Sequence, residues 1–516
     1  MKQSPRWTQL LCAVSVMLMS ASTLKAEIKL PAIIGDSMVI QRDKPVHLWG
    51  WADAGQDVKV ELKGKTYTAK ADDSGKWSIT GDKLSASFEP IEIKITAGSE
   101  TKTLKDILVG EVWLCSGQSN MQWSINSSVD GDLATLAADN PHIRLITVPN
   151  KAAQEPKYTF EGSWKSASPQ TIPGFSAVGY FFGKKLFETI DVPVGLINNA
   201  WGGSAAEAWT TEKTLLSAPS TEGIVKGWKD RVTQYEAQKA ELEAKKELTK
   251  EEKQQLSNIV GRGLQGNHRP ANLYNGCLSP VIGYPIRGVI WYQGESNAGR
   301  AYQYRDLFPM MISEWRNDWK DQDISFYWVQ LADYMGVKDQ PSDSAWAEVR
   351  EAQTMTAKLP KTGEAVIIDL GTGSDIHPPN KEDVASRLLR HALAKDYGLN
   401  VVASSPTLKS HTIGEDGKVT LVFNHDGGGK GLKAMDFKEV LGFTIAGEDK
   451  KFYKAEAVIT GKDTIVVSSP DVKAPKAVRY AWADNPICNV YSAVNLPMTP
   501  FRTDDWEGIT AKSLGP

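Results

Sequence analysis

Hydrophobic and polar positions follow three regimes along the chain. Between residues 27 and about 105 they alternate with period two, as in Val46-His47-Leu48-Trp49-Gly50-Trp51, Val58-Lys59-Val60-Glu61-Leu62 and Ile91-Glu92-Ile93-Lys94-Ile95. That period belongs to strands with one buried face, and Asp73-Ser74-Gly75-Lys76 supplies a turn between them. From Asp106 onward, short apolar runs alternate with stretches of helical spacing, the mark of an α/β layer fold. The expected strands are the run from Ile107 to Cys115, Ile143–Val148, Val192–Asn199, Arg287–Tyr292, Phe326–Leu331 and Ala365–Leu370. Helices are expected at Val178–Thr189 and at about Asn380–Tyr397, where Val384, Leu388, Leu389 and Ala392 share a face. Beyond about 402 the period-two pattern returns, as in Val419-Thr420-Leu421-Val422-Phe423.

Residues 211–269 interrupt the middle regime. Tyr235–Leu248 is rich in Glu, Lys, Ala and Leu, which predicts a helix. Thr249-Lys250-Glu251-Glu252 has the form of a capping box opening a second one. Their polarity predicts a solvated helical hairpin without chemistry of its own. The first 26 residues also stand apart. Lys2 and Arg6 precede the apolar run Leu10–Met19, which is too short to span a bilayer comfortably, and small residues follow up to Ala26. This is the pattern of a secretory signal peptide cut before Glu27, placing the mature chain in the periplasm or outside the cell. The expected organisation is therefore 1–26 signal peptide, 27–105 β-sandwich-like domain, 106–402 α/β domain with the insertion, and 403–516 β-rich domain.

Composition narrows the function. A chain of 516 residues calls for several domains. The formal net charge of -3 gives no reason to expect nucleic acid or an anionic membrane as a partner. Cys115, Cys277 and Cys488 are too scattered for a disulfide scaffold or a paired-cysteine zinc site. There is no Gly-x-x-x-x-Gly-Lys-Ser/Thr phosphate loop and no His-Glu-x-x-His, so neither metal nor cofactor is expected. Trp is abundant at 17 residues, and exposed indoles make platforms for sugar rings.

Four loops stand at the ends of expected strands: Gly117-Gln118-Ser119-Asn120, Gly202-Gly203, Gln293-Gly294-Glu295 and Asp375-Ile376-His377. Parallel strands would bring them to the sheet edge where α/β folds bind ligands. Together they supply a nucleophile, a base, an orienting acid and oxyanion donors, the parts needed for acyl transfer. His377 is the histidine that follows a strand and glycine loop, has an acid two residues before it, and opens a helix. Gly117-Gln118-Ser119-Asn120-Met121 lacks the second glycine of the Gly-x-Ser-x-Gly elbow, which argues against an α/β-hydrolase. Ser296, in Gly294-Glu295-Ser296, is a rival nucleophile ranked below Ser119.

The ordered set Gly-Gln-Ser-Asn-Met, Trp-Gly-Gly-Ser, Trp-Tyr-Gln-Gly-Glu-Ser-Asn and Asp-x-His-Pro resembles the sialate O-acetylesterase family of the SGNH/GDSL hydrolases. The resemblance covers about 106–210 and 270–400 and reaches Arg479-Tyr480-Ala481-Trp482-Ala483-Asp484-Asn485-Pro486. It implies a flavodoxin-like three-layer α/β/α catalytic domain flanked by β-domains. It also implies a serine esterase that removes O-acetyl groups from sugars, its partner being the O-acetylated carbohydrate. Ser119 matches the nucleophile, His377 the base and Asp375 its orienting acid, although the superfamily spacing is Asp-x-x-His. The backbone of Ser119 and Gly203 matches oxyanion donors. Gln293 is expected as the side-chain donor, because an amide can donate where an ionised Glu295 cannot. Gln118, Asn120, Gly202 and Glu295 are expected around this inner set. Two alternatives stay open: an acetylesterase of plant polysaccharide such as xylan or xyloglucan, and a non-catalytic carbohydrate-binding protein.

Overall fold

A computed structural model describes residues 27–425 and 430–515; the expected signal peptide lies outside the described residues. The architecture is organised by one long strand, β1 (Glu100–Gly117). Its first half pairs antiparallel with Ser87–Ala97 in the N-terminal β-layer, and residues 108–110 also pair parallel with Val39–Gln41. From Glu111 it becomes the centre of a parallel sheet. The strand does not end at residue 105, but it bends there: Asp106 has φ +57° and the pairing with Ser87–Ala97 shifts register between Leu104 and Ile107.

The other parallel strands are β2 (Asn140–Thr147), β3 (Val194–Ala200), β4 (Gly288–Tyr292), β5 (Ser325–Gln330) and β6 (Thr362–Val366). Their order across the sheet is β6-β5-β4-β1-β3-β2, with Lys165–Ala167 as a short antiparallel edge. Helices cover both faces: α1 (Ala177–Ile190) and α6 (Lys381–Lys395) on one, α4 (Ala301–Trp319) and α5 (Ala345–Thr356) on the other. The alternation of side chains along β5 shows this directly. Tyr327 stacks with Trp113 and with His391 of α6, whereas its neighbours Phe326 and Trp328 pack on Phe308 of α4. This is the expected three-layer α/β/α domain, with β-sheets at both ends of the chain. β1 is followed by a crossing to the β3 side and β4 by a crossing to the β5 side, so the crevice between their carboxyl ends is a topological switch point.

Two expectations need correction. The apolar run Ala365–Leu370 is not one strand: β6 ends at Val366, and Val366 and Ile368 are buried in a second core shared with the C-terminal strands Val419–Asn424, Phe443–Ala446, Thr464–Ser468 and Ala477–Tyr480. The insertion is not a freely solvated hairpin either. Its first helix, α2 (Pro219–Glu243), starts well before Tyr235, because Pro219 is accommodated in a first turn and Ile224, Val225 and Trp228 are buried against the main core. The second helix, α3 (Lys250–Asn258), opens on the expected Thr249/Glu252 capping box.

Candidate active site

The crevice is built first by a glycine. At Gly117 β1 passes so close to the end of β4 that a Cβ would sit 2.2 Å from the Tyr292 carbonyl oxygen, and φ is +136°, where side chains are strained. The Gln118 amide then bonds Tyr292 O at 2.9 Å, and the chain turns into a short helical segment, Ser119–Gln122. Ser119 is the first residue of that turn, so its N–H has no acceptor further back in the helix. Its Oγ lies 2.9 Å from Nε2 of His377, across 258 residues of sequence.

His377 sits in the loop between β6 and α6. Its ring stacks on Trp123, with centroids 4.8 Å apart and planes 16° from parallel. One oxygen of Asp375 accepts from the His377 backbone N–H at 2.9 Å and lies 3.4 Å from Nδ1. The Asp-x-His spacing thus makes one carboxylate oxygen serve both the loop and the ring, and the ring contact is longer than an ordinary hydrogen bond. The Asp375 side chain is 55% exposed. Burial lowers the His377 pKa from its ordinary value; Asp375 opposes that shift and Lys381 adds to it.

Gly202 and Gly203 follow β3 and lie against Ser119: a Cβ on Gly202 would be 3.4 Å from Ser119 Cβ. The Gly202 N–H donates to Gln122 Oε1 at 2.8 Å. Gly202 O accepts from Asn267 at 2.6 Å, and Gly203 O is held by His268 Nε2 at 2.7 Å and Ser296 Oγ at 3.0 Å. The Ser296 hydroxyl is therefore committed to a backbone carbonyl, whereas the Ser119 hydroxyl is paired with an imidazole.

The expectation for Gln293 is corrected. Its side chain is fully buried, and Nε2 uses its two hydrogens on Ser204 O at 3.1 Å and Asn297 Oδ1 at 2.7 Å, while Oε1 accepts from Tyr304 at 2.9 Å. No hydrogen is left for an oxyanion. Gln293 instead ties the β4 loop to the Ser204 backbone and to α4. Gln118 Oε1 lies 3.5 Å from the Gly294 N–H and 3.4 Å from the Ser296 N–H, which brings the serine turn against the same loop.

A buried polar network lies behind the serine. Asn120 donates to Glu295 at 2.7 Å and to Ile376 O at 3.0 Å, and accepts from Lys381 Nζ at 2.5 Å. Asn120 thereby joins the Ser119 turn, the β4 loop and the His377 loop. Lys381 is completely buried and carries its ammonium over the rings of Trp123 and Tyr292. Burial pushes its pKa down to about 7 against the opposing charges of Glu295 and Asp375. Burial raises that of Glu295, whose second oxygen is buried without a partner. Lys381 escaped the sequence reading. The available signal was a cation in the first turn of a helix, where the macrodipole favours acids.

This network predicts a pH effect. An imidazole can serve as a base only when neutral, so activity that depends on His377 in that role falls as pH drops through its pKa. Lys381⁺ disfavours the imidazolium, whereas Asp375 favours it. Replacing Lys381 by Met removes a positive charge, raises the His377 pKa, and moves the acidic limb of the kcat/KM profile to higher pH. A limb that stays in place or moves to lower pH would show that Lys381 does not act on His377.

Among the described residues no group of His, Cys, Asp and Glu could hold a metal ion, and no helix is long and apolar enough to cross a membrane. Cys115, Cys277 and Cys488 are free, and burial raises the pKa of each. A hydroxyl paired with an imidazole at a switch point, beside the Ser119 and Gly203 N–H groups, which have no partner among the described residues, is equipped for acyl transfer.

The parallel sheet, its switch-point crevice and the pairing of Ser119 with His377 suit an enzyme of acyl transfer. A family profile described as carbohydrate esterase, sialic acid-specific acetylesterase, matches residues 109–239 and 261–394, and the chain belongs to this family. It is similar to the sialate O-acetylesterase of Mus musculus, 29% identical with 91% of this chain and 93% of that protein covered. The Homo sapiens sialate O-acetylesterase is 28% identical, with 71% and 70% covered. The crystal structure of a carbohydrate acetylesterase from Xanthomonas citri superposes with a TM-score of 0.80 at 36% identity, covering 93% of this chain and all of that one.

Proposed function

We propose that the protein is a serine esterase that removes O-acetyl groups from sialic acids through an acetyl-serine intermediate. The observation that carries this reading is the 2.9 Å approach of Ser119 Oγ to His377 Nε2 at the carboxyl edge of the sheet. His377 takes the Ser119 proton as Oγ bonds to the acetyl carbonyl carbon. The developing oxyanion is received by the backbone N–H groups of Ser119 and Gly203. When the bond from the acetyl carbon to the sugar oxygen breaks, the protonated His377 returns its proton to that oxygen. Water, deprotonated by the same imidazole, then releases acetate. Asp375 holds the imidazole and opposes the loss of its positive charge.

The family and the named activity of the mammalian relatives support sialic acid as the glycan. A second reading, an O-acetylated carbohydrate other than sialic acid such as plant polysaccharide, stays open because the Xanthomonas citri protein, at the higher identity of 36%, is described only as a carbohydrate acetylesterase. Acetate release from O-acetylated N-acetylneuraminic acid, measured beside acetylated xylan at equal enzyme, separates them. Faster turnover of the sialate is expected, and faster turnover of the xylan would replace the first reading by the second. The apolar N-terminal run supports export. N-terminal sequencing of the protein from its host, expected to begin at Glu27, tests it.

A further inference from the structure

The insertion ends at the active site. After α3 the backbone winds through Ile259–Leu264, where Gly263 passes so close to Tyr235 of α2 that a Cβ would sit 2.8 Å from its ring. Asn272 then grips the carbonyls of Leu264 and Gly266 at 3.2 and 2.7 Å. The next residue, Asn267, accepts from the Ala205 N–H through its own carbonyl at 3.2 Å and donates from its side chain to Gly202 O at 2.6 Å.

Gly202 O and the Gly203 N–H belong to one peptide group, and in a trans peptide they point in opposite directions. Of the four backbone polar groups on these two glycines, three are bound within the protein. Gly202 N–H goes to Gln122, Gly202 O to Asn267, and Gly203 O to His268 and Ser296. The Gly203 N–H alone has no partner among the described residues. Gly203 has φ +68°, and a peptide between two glycines meets little steric resistance to rotation. Rotation of that peptide would exchange the N–H for a carbonyl oxygen, which repels a developing oxyanion.

We propose that Asn267 is a positioning residue that locks the Gly202–Gly203 peptide with its N–H presented to the acyl site. This makes the helical insertion a brace for the oxyanion hole. The inference rests on the reading of the Gly203 N–H as an oxyanion donor. The lock works in two ways. The carboxamide holds the C=O end, so the peptide plane is set before substrate arrives, and preorganised donors are the effective ones. A hydrogen bond accepted by the C=O also polarises the same peptide and strengthens its N–H as a donor.

The test compares Asn267→Ala, Asn267→Asp and Gly203→Ala in the full chain. It reads kcat and KM on a small acetyl ester and the inhibition constant of phenylboronic acid, which forms a tetrahedral adduct on serine. Asn267→Asp keeps the shape but replaces the donor with an acceptor that repels Gly202 O, so it remains informative if the alanine variant folds poorly. Both Asn267 variants are expected to lose about 10–10² in kcat with KM unchanged, less than the roughly 10²–10³ that outright loss of an oxyanion donor costs. The boronate constant should rise in proportion, which a merely structural role would not produce. Gly203→Ala keeps the N–H but strains the φ of +68° that presents it. If Gly203→Ala loses kcat while both Asn267 variants stay within about threefold of wild type, the orientation of the peptide matters but Asn267 does not set it, and the lock is wrong. If all three variants stay within that range, the orientation of the peptide does not matter to turnover and the inference falls with it. A rise in KM at unchanged kcat would show Asn267 touching substrate instead of setting the peptide.

Discussion

Replacing Ser119 by alanine is expected to remove about 10⁴–10⁶ of kcat on a small acetyl ester while leaving the folded protein intact. Enzymes that share this nucleophile–base logic lose that much when either member is removed. The hydroxyl is not part of the structural network: its hydrogen-bond partner is His377, while the turn around it is held by the Gln118 amide on Tyr292 O and by Asn120 on its three partners. Thermal unfolding should therefore move by no more than a few degrees, in line with a small surface-type change. Kinetics on Ser119→Ala and Ser296→Ala, with melting curves for both, decide the matter. An active Ser119→Ala beside an inactive Ser296→Ala would reverse the assignment.

His377→Ala should be as severe as Ser119→Ala, because the 2.9 Å contact puts its imidazole where it can take the Ser119 proton. Asp375→Asn should be much milder, with a loss of about 10² in kcat and KM unchanged. Where a buried acid orients a catalytic histidine in a serine protease, the same change costs about 10⁴. Here the carboxylate is half-exposed and 3.4 Å from Nδ1, and it divides one oxygen between the ring and the His377 N–H. Trp123 supplies part of the ring's orientation by stacking, which an Asp375 variant leaves in place. Steady-state kinetics on both variants test this gradation. An Asp375→Asn loss equal to that of His377→Ala would mean that the acid does the orienting alone. A loss under threefold would leave a Ser119–His377 pair as the whole catalytic unit.

The juxtaposition of Ser119 and His377 was legible in the sequence because strand-end chemistry is local. An apolar run followed by Gly117-Gln118-Ser119, and a glycine loop followed by Asp375-Ile376-His377, each announce a loop at the edge of a sheet. What was not legible depends on partners far away in sequence. Gln293 reads as a free amide until Ser204 O and Tyr304 are seen on its two ends. Lys381 reads as a surface cation of a helix until Asn120 is seen to take its ammonium. The insertion reads as solvated because its charged residues are continuous in sequence, while its few anchors, Ile224, Val225 and Trp228, occupy one short stretch of α2. The overrun of the last expected strand has the same origin: Ile368 is apolar because a second core needs it, and periodicity does not say which core a residue serves.

β1 carries one more consequence. Ser119 lies two residues beyond a strand whose other end, at Glu100, is paired with the N-terminal layer. The strand itself runs unbroken from one region to the other, across the bulge between Leu104 and Ile107, so the two should share a single cooperative unit. Amide hydrogen exchange should therefore give residues 102–109, paired with the N-terminal layer, protection close to that of residues 111–117 in the parallel sheet. Deleting everything before residue 106 should then raise exchange at the nucleophile turn itself, more than thirty backbone ångströms from the cut on the rise per residue of an extended strand.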